Sequence, residues 1–314
     1  MTTFGLQLPN FTFAGVPDNE MFEHVARLAD AGEDAGFESL WVMDHFWQLP
    51  PLGGPSQPML EGYTLLGGLA ARTSRAKLGT LVTGVTYRNP ALLAKMVTTL
   101  DIVSGGRAVL GIGAAWYEEE HDGLGFEFPS AGERLDRLEE ALQICRAMFT
   151  EEAPSFTGKH YRIEKVLNVP RPIQENGPRI MVGGSGEKRT LRLVARYADM
   201  CNINGSPDTV RHLLGVLDRH CADVGRAPGE ITRTRLASLF LTSSPEETER
   251  TSGFLRDAAG DEFGERFNVG EPAAIVDQVA ALVDAGLDEL IFNMPFADPE
   301  TVRRAGELLV SRFG

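Results

Sequence analysis

Residues 77–116 read KLGTLVTGVTYRNPALLAKMVTTLDIVSGGRAVLGIGAAW, and this stretch alone spells out a parallel β–α–β unit. Leu78 to Val82 and Val109 to Ile112 are nearly continuous apolar runs, as expected of strands covered on both faces. Between them Leu92, Leu93, Met96, Val97, Leu100 and Val103 recur at helical spacing. Pro90 sits at the helix start and Ser104-Gly105-Gly106 stops it. Two parallel strands need a crossover of this kind, and in parallel sheets and barrels ligands collect at the strand C-terminal ends. Val82-Thr83-Gly84 and Gly111-Ile112-Gly113 are therefore the first places to look for chemistry.

Working outward, Phe4–Leu8 reads as a first strand, and Ser39–Met43 as a second that runs straight into Asp44, His45, Phe46 and Trp47. The segment from Gln48 to Glu61 is rich in Pro and Gly and too long for a simple connection, which suits a lid or binding loop. A helix over Gly62–Thr73 then leads into the central unit. Beyond Trp116 comes an acidic, glycine-rich excursion, YEEEHDGLGFEFPSAG, then a helix from about Glu133 to Phe149. In SFTGKHYRIEKV, Thr157-Gly158-Lys159 separates two short alternating runs and predicts a hairpin insertion. Arg179–Val182 is a strand ending in Gly183-Gly184-Ser185-Gly186, with a helix expected over Glu187–Tyr197. Met200–Ile203, Thr232–Leu241 and Glu289–Phe292 are the later strands; the helices between and after them cover Asp208–Val224, Pro245–Ala258, Pro272–Ala285 and Pro299–Phe313. Eight strands alternating with helices, with no break in composition, predict an α/β fold: a (β/α)₈ TIM barrel in one domain over residues 1–314.

The formal charge of −14 argues against a nucleic-acid surface. Cys145, Cys201 and Cys221 form no CxxC pair, so reduced cysteines in a cytoplasmic protein are expected. The N-terminus lacks the regions of a signal peptide, and no apolar run is long enough to span a membrane. An isologous homodimer is the default expectation for assembly.

Gly183-Gly184-Ser185-Gly186 lies between a strand and a helix, where backbone N–H groups and the helix N-terminus favour an anion; the plainer alternative is a tight turn. Gly111-x-Gly113 alone says little, because glycines at strand ends often serve close packing. Asp44-His45 is a titratable pair on the face where chemistry is expected, and an imidazole there can carry a proton near neutral pH. His24, His212 and His220 fall on helices and read as structural. No metal-ligand spacing occurs. Trp47 and Trp116 follow strand ends and could line a pocket. Glu118, Glu119 and Glu120 read as a solvated loop or a helix start.

The combination of WVMDHF, the 77–116 stretch with EEEHDGLG behind it, and PRIMVGGSG resembles the bacterial luciferase-like family, within it the coenzyme F420-dependent oxidoreductases. The resemblance spans almost the whole chain and implies a barrel with an insertion, carrying a flavin or deazaflavin across the strand C-terminal ends. It places Asp44 and His45 beside the cofactor ring as the catalytic candidates, and a cis peptide at Leu81–Val82. Cofactor contacts are further expected from Thr83, Gly113, Ala114 and Trp116, with Gly183, Gly184, Ser185 and Gly186 at the phosphate. One departure stands out: some sugar-phosphate- and methanopterin-acting relatives carry an acid where this chain has Ala114. The implied activity is hydride transfer between F420 and a small organic substrate. A monooxygenase using reduced FMN and oxygen, and a barrel that binds flavin or F420 without turnover, are the alternatives.

Overall fold

The computed structural model describes residues 1–314. Its eight barrel strands are β1 (Thr3–Leu8), β2 (Ser39–Val42), β3 (Lys77–Thr80), β4 (Ala108–Gly113), β5 (Arg179–Gly183), β6 (Met200–Ile203), β7 (Thr232–Leu241) and β8 (Glu289–Asn293). Each pairs in parallel with the next, and β8 returns to β1 through Leu290 opposite Phe4 and Phe292 opposite Leu6. Closure leaves the eight barrel strands paired on both sides, and a helix follows each strand, as a (β/α)₈ barrel requires.

Two apolar cores follow from the alternation of side chains along these strands. Trp41, Leu81, Val109, Met181, Met200 and Ile291 point inward and fill the barrel, with Val82 and Leu236 against them. Their neighbours Leu40, Val42, Leu110, Ile180, Val182 and Leu290 point outward and join the larger core beneath the helices. With both faces buried, the strands read as unbroken apolar runs.

The helix starts repeat one chemical device. Asn89-Pro90, Ser206-Pro207, Ser244-Pro245 and Asp298-Pro299 each place a capping side chain before a proline, and each cap accepts an amide proton of the first turn. Proline loses nothing there, because its missing N–H would have had no helical partner. The crossover helix runs Pro90–Val103, as expected from its sequence.

Four local features differ from expectation or sharpen it. Phe267–Gly270 is a strand that the sequence reading leaves out; it pairs in parallel with Ser238–Leu241, where ten-residue β7 overshoots the barrel wall. A four-residue strand behind an exposed acidic stretch carries no readable period. The helix after β5 begins at Thr190 rather than Glu187, leaving an open loop over 184–189. The acidic excursion contains a helix, Glu118–Leu124. The insertion is the expected hairpin, pairing Phe156–Thr157 with Arg162–Ile163.

Candidate active site

All eight strands run the same way, so the C-terminal ends of β2, β3, β4 and β5 share one rim. After Thr80 the chain leaves the sheet for two residues, and Thr83–Gly84 rejoins it against Ile112–Gly113. The bypassed Leu81–Val82 peptide is cis, where the resemblance places it. Gln7 Nε2 donates to the Leu81 carbonyl at 3.2 Å, and Leu81 N–H donates to Val42 at 2.8 Å. Val82 leans across the mouth toward two neighbouring strand ends. A Cβ added at Gly113 would lie 2.8 Å from one Val82 methyl, and one at Gly183 would lie 2.9 Å from the other. Those glycines therefore make room for Val82, a packing role that the glycine spacing did not specify. Thr83 is buried, its hydroxyl 2.6 Å from Thr80 Oγ1 and 2.7 Å from the Tyr63 hydroxyl, so it belongs to the wall rather than the open face.

Asp44 and His45 follow β2 but face different neighbours. Asp44 is buried and accepts from the Gly84 amide at 3.1 Å and from Arg88 Nη1 at 2.7 Å. The other arm of Arg88 reaches Glu61 at 2.7 Å, and its guanidinium lies 4.9 Å from the Tyr63 ring centroid. Burial pushes the Asp44 carboxyl up, while Arg88 and the Gly84 amide oppose that push; the short contact to an always-charged guanidinium keeps the pair ionic. Asp44 thus holds the loop after β3 in place.

His45 is mostly buried. Its Nδ1 lies 3.1 Å from Glu120 Oε2, and its ring meets Trp116 edge-on at 5.7 Å and Tyr117 at 5.9 Å. Glu120, expected on a solvated loop or at a helix start, lies in the first turn of the Glu118–Leu124 helix and is completely buried. It accepts from the amides of Phe46 at 2.6 Å and Trp47 at 2.8 Å, and from the Tyr87 hydroxyl. Burial alone would raise its carboxyl, but the donations from His45, Tyr87 and Trp47 outweigh that and hold it below the ordinary carboxylate range. A helical reading of YEEEHDGL would have found it, because Tyr117, Glu120, His121 and Leu124 share the i, i+3, i+4, i+7 face. Of these, Tyr117, Glu120 and His121 are buried, whereas Glu118 and Glu119 are exposed.

Trp116 remains 62 % exposed and stacks on Tyr117 at 5.3 Å. The residue before it, Ala115, holds φ at 60°, a left-handed conformation unusual for a residue with a Cβ. The Ala114 carbonyl accepts from Arg134 Nε at 3.0 Å.

At the end of β5, Gly184 has φ of 126°, which favours glycine, but its amide is already donated to the Asn202 carbonyl at 2.9 Å. The amides from Ser185 to Thr190 have no acceptor within the protein. Ser185 Oγ accepts from the Asn204 amide at 3.1 Å, which leaves its own proton free to donate. Arg189 is held by Asp136 at 2.6 Å, and Lys188 is exposed. A run of uncommitted N–H groups opening a helix is a fitting cradle for a phosphate. The cradle expected at residues 183–186 is displaced along the chain: the free donors lie over 185–190.

A run of uncommitted amides, an imidazole and an exposed indole thus share the C-terminal rim of a closed parallel barrel, the rim on which such folds carry their sites. The chain belongs to the luciferase-like monooxygenase family, whose model matches residues 2–259. It is 30% identical over 312 residues to an F420-dependent glucose-6-phosphate dehydrogenase of Microbacterium testaceum, covering 89% of this chain and 90% of that protein. A protein of the same description from Kineococcus radiotolerans is 29% identical over 302 residues, covering 87% and 88%. Among solved structures, the coenzyme F420-dependent tetrahydromethanopterin reductase of Methanopyrus kandleri superposes with a TM-score of 0.80 at 19% identity, covering 100% of this chain and 99% of its own. The oxygenating constituent of 3,6-diketocamphane monooxygenase from Pseudomonas putida, in complex with FMN, gives 0.77 at 19% identity, covering 99% and 97%.

Proposed function

We propose that this protein is an F420-dependent oxidoreductase that moves a hydride between the deazaflavin and a small organic substrate. The observation that carries the reading is the shared rim: uncommitted amides over Ser185–Thr190 for a cofactor phosphate, and His45 at the end of β2. The names of the relatives similar over nearly the whole chain support F420 in particular.

The amides of 185–190 and the Ser185 hydroxyl would hold the phosphate, and the Leu81–Val82 turn with Gly113 and Ala114 would wall the ring. When bound, the deazaflavin supplies a two-electron hydride donor or acceptor, the chemistry that the protein itself lacks. The chain's part is to orient, to exclude water and to manage one proton. Trp116 forms an apolar wall beside His45, and the His45 ring takes or returns the substrate proton. Ala114 offers no carboxylate at the end of β4, so that proton falls to His45. For the same reason the sugar phosphate named for the relatives is not carried to this chain.

A parallel fluorescence titration with F420 and FMN tests the cofactor. Saturable quenching of F420 in the micromolar range is expected, with FMN much weaker. FMN binding without F420 binding would overturn the reading in favour of a flavin monooxygenase, which the family description supports. Following the deazaflavin absorbance over a panel of secondary alcohols and activated alkenes then separates an enzyme from a passive carrier. His45→Ala should retain F420 affinity while lowering turnover by about 100-fold or more.

A further inference from the structure

We propose that Glu120 is a positioning residue that holds the His45 ring in its Nδ1–H form, so that Nε2 is presented to the rim as a bare proton acceptor. The kinetic consequence of this assignment rests on the oxidoreductase reading above; the tautomer itself does not.

An ionised carboxylate accepts only, and it has four lone-pair directions. Oε1 takes the amides of Phe46 and Trp47. Oε2 takes the Tyr87 hydroxyl and faces His45 Nδ1 at 3.1 Å. With both amides and the phenol donating, the remaining direction needs a donor, and only a proton on Nδ1 supplies one. In the neutral ring the second nitrogen then carries a lone pair. Ring orientation is fixed as well, since Trp116 and Tyr117 meet the imidazole edge-on. Glu120 also grips the two residues after His45, so the carboxylate sets both the loop and the ring. This chain thereby builds a carboxylate–imidazole pair of the kind that sets tautomer in other enzymes, using a residue four positions beyond Trp116.

The same geometry says what Glu120→Gln would do. The amide oxygen must stay against the Phe46 and Trp47 N–H groups, which turns the amide NH₂ toward Tyr87 and His45. That NH₂ can only donate, so the ring is forced into the opposite form, with its proton on Nε2. Shape and loop anchoring are kept while the acceptor facing the rim becomes a donor.

The test is nitrogen NMR of ¹⁵N-histidine-labelled protein without cofactor near pH 8, with His45 assigned by its loss in His45→Asn. In the unaltered protein His45 should show the Nδ1–H form, in Glu120→Gln the Nε2–H form, and in Tyr87→Phe and Glu120→Asp the Nδ1–H form again. An Nε2–H ring in the unaltered protein would sink the proposal without recourse to any variant. So would a Glu120→Gln protein that folds, by an unchanged cooperative melt, and keeps Nδ1–H. In turnover with F420, Glu120→Gln should lose about 100-fold or more in kcat with F420 affinity within threefold, and Glu120→Asp should recover part of the loss. A parallel fall in F420 affinity and kcat would mark Glu120 as merely structural and overturn the positioning role. Failure of F420 to bind the unaltered protein would instead reject the functional reading and leave the tautomer result standing.

Discussion

At the scale of single residues, the rim depends on what sits opposite each glycine. Gly113 and Gly183 are not interchangeable with alanine, because each faces a Val82 methyl closer than a real Cβ contact allows. Gly183→Ala should therefore destabilise the protein by about 1–3 kcal/mol through overpacking, and displace Val82 from the mouth. Adding Val82→Ala should recover part of that loss, a non-additivity measurable by a double-mutant cycle in denaturant unfolding. Strictly additive losses would mean the two residues do not press on each other. Neither glycine was legible as a partner of Val82, since 31 and 101 positions separate them in the chain and only the closed barrel brings them together.

At the scale of elements, carboxylates recur as anchors for the loops that precede or follow strands; Glu33, Asp101 and Glu120 are buried and Glu140 half-buried. Glu120 takes the amides after His45; Glu140 takes those of Lys159, His160 and Tyr161 in the hairpin; Asp101 takes those of Ile173 and Gln174. Glu33, near the end of the Met21–Asp34 helix, takes the amides of Ser74, Arg75 and Ala76 just before β3. Burial alone would raise the Glu33 carboxyl, but those three amides outweigh it and hold it below the ordinary range. Its folded value is depressed, so its contribution is complete above the unfolded carboxyl range of about 4.3. It is lost as pH falls through the folded value. Glu33→Gln should cost about 1–3 kcal/mol at neutral pH. The difference from the unaltered protein should shrink in acid, as followed by urea unfolding across pH. Because β3 begins there, at the opposite end from the rim, cofactor affinity should not change. A deficit that persists undiminished in acid would show that the carboxylate charge is not the source. None of these partners lies at a fixed spacing, so the anchors were invisible as motifs, even though the helices that carry Asp101 and Glu140 were readable.

At the scale of the whole molecule, closure is the controlling event. The family match ends at Ala259, yet β8 at Glu289–Asn293 bridges β7 and β1 and completes the ring. A chain ending at Ala259 leaves a strand-wide gap with two unpaired edges. It should give no cooperative thermal transition and elute as aggregate, whereas the full chain should melt as one unit. A sharp melt of the shortened chain near the full-length Tm would refute this dependence on β8. No helix is long and apolar enough to cross a membrane, and no cluster of three metal-binding side chains forms.

Local periodicity and punctuation were enough to read the eight strands, most of their intervening helices, the hairpin and the glycine-rich turn after β5. Apolar period and proline–glycine chemistry act between residues close in the chain, and a strand buried on both faces announces itself wherever it stands. Tertiary structure alone settled that Glu120 faces His45, that the Gly184 amide is already committed and that Val82 is the reason for two glycines. It also added the strand at Phe267–Gly270. Each of these turns on which groups meet across space once water is excluded, and a lone carboxylate or glycine carries no mark of the partner that folding will bring to it.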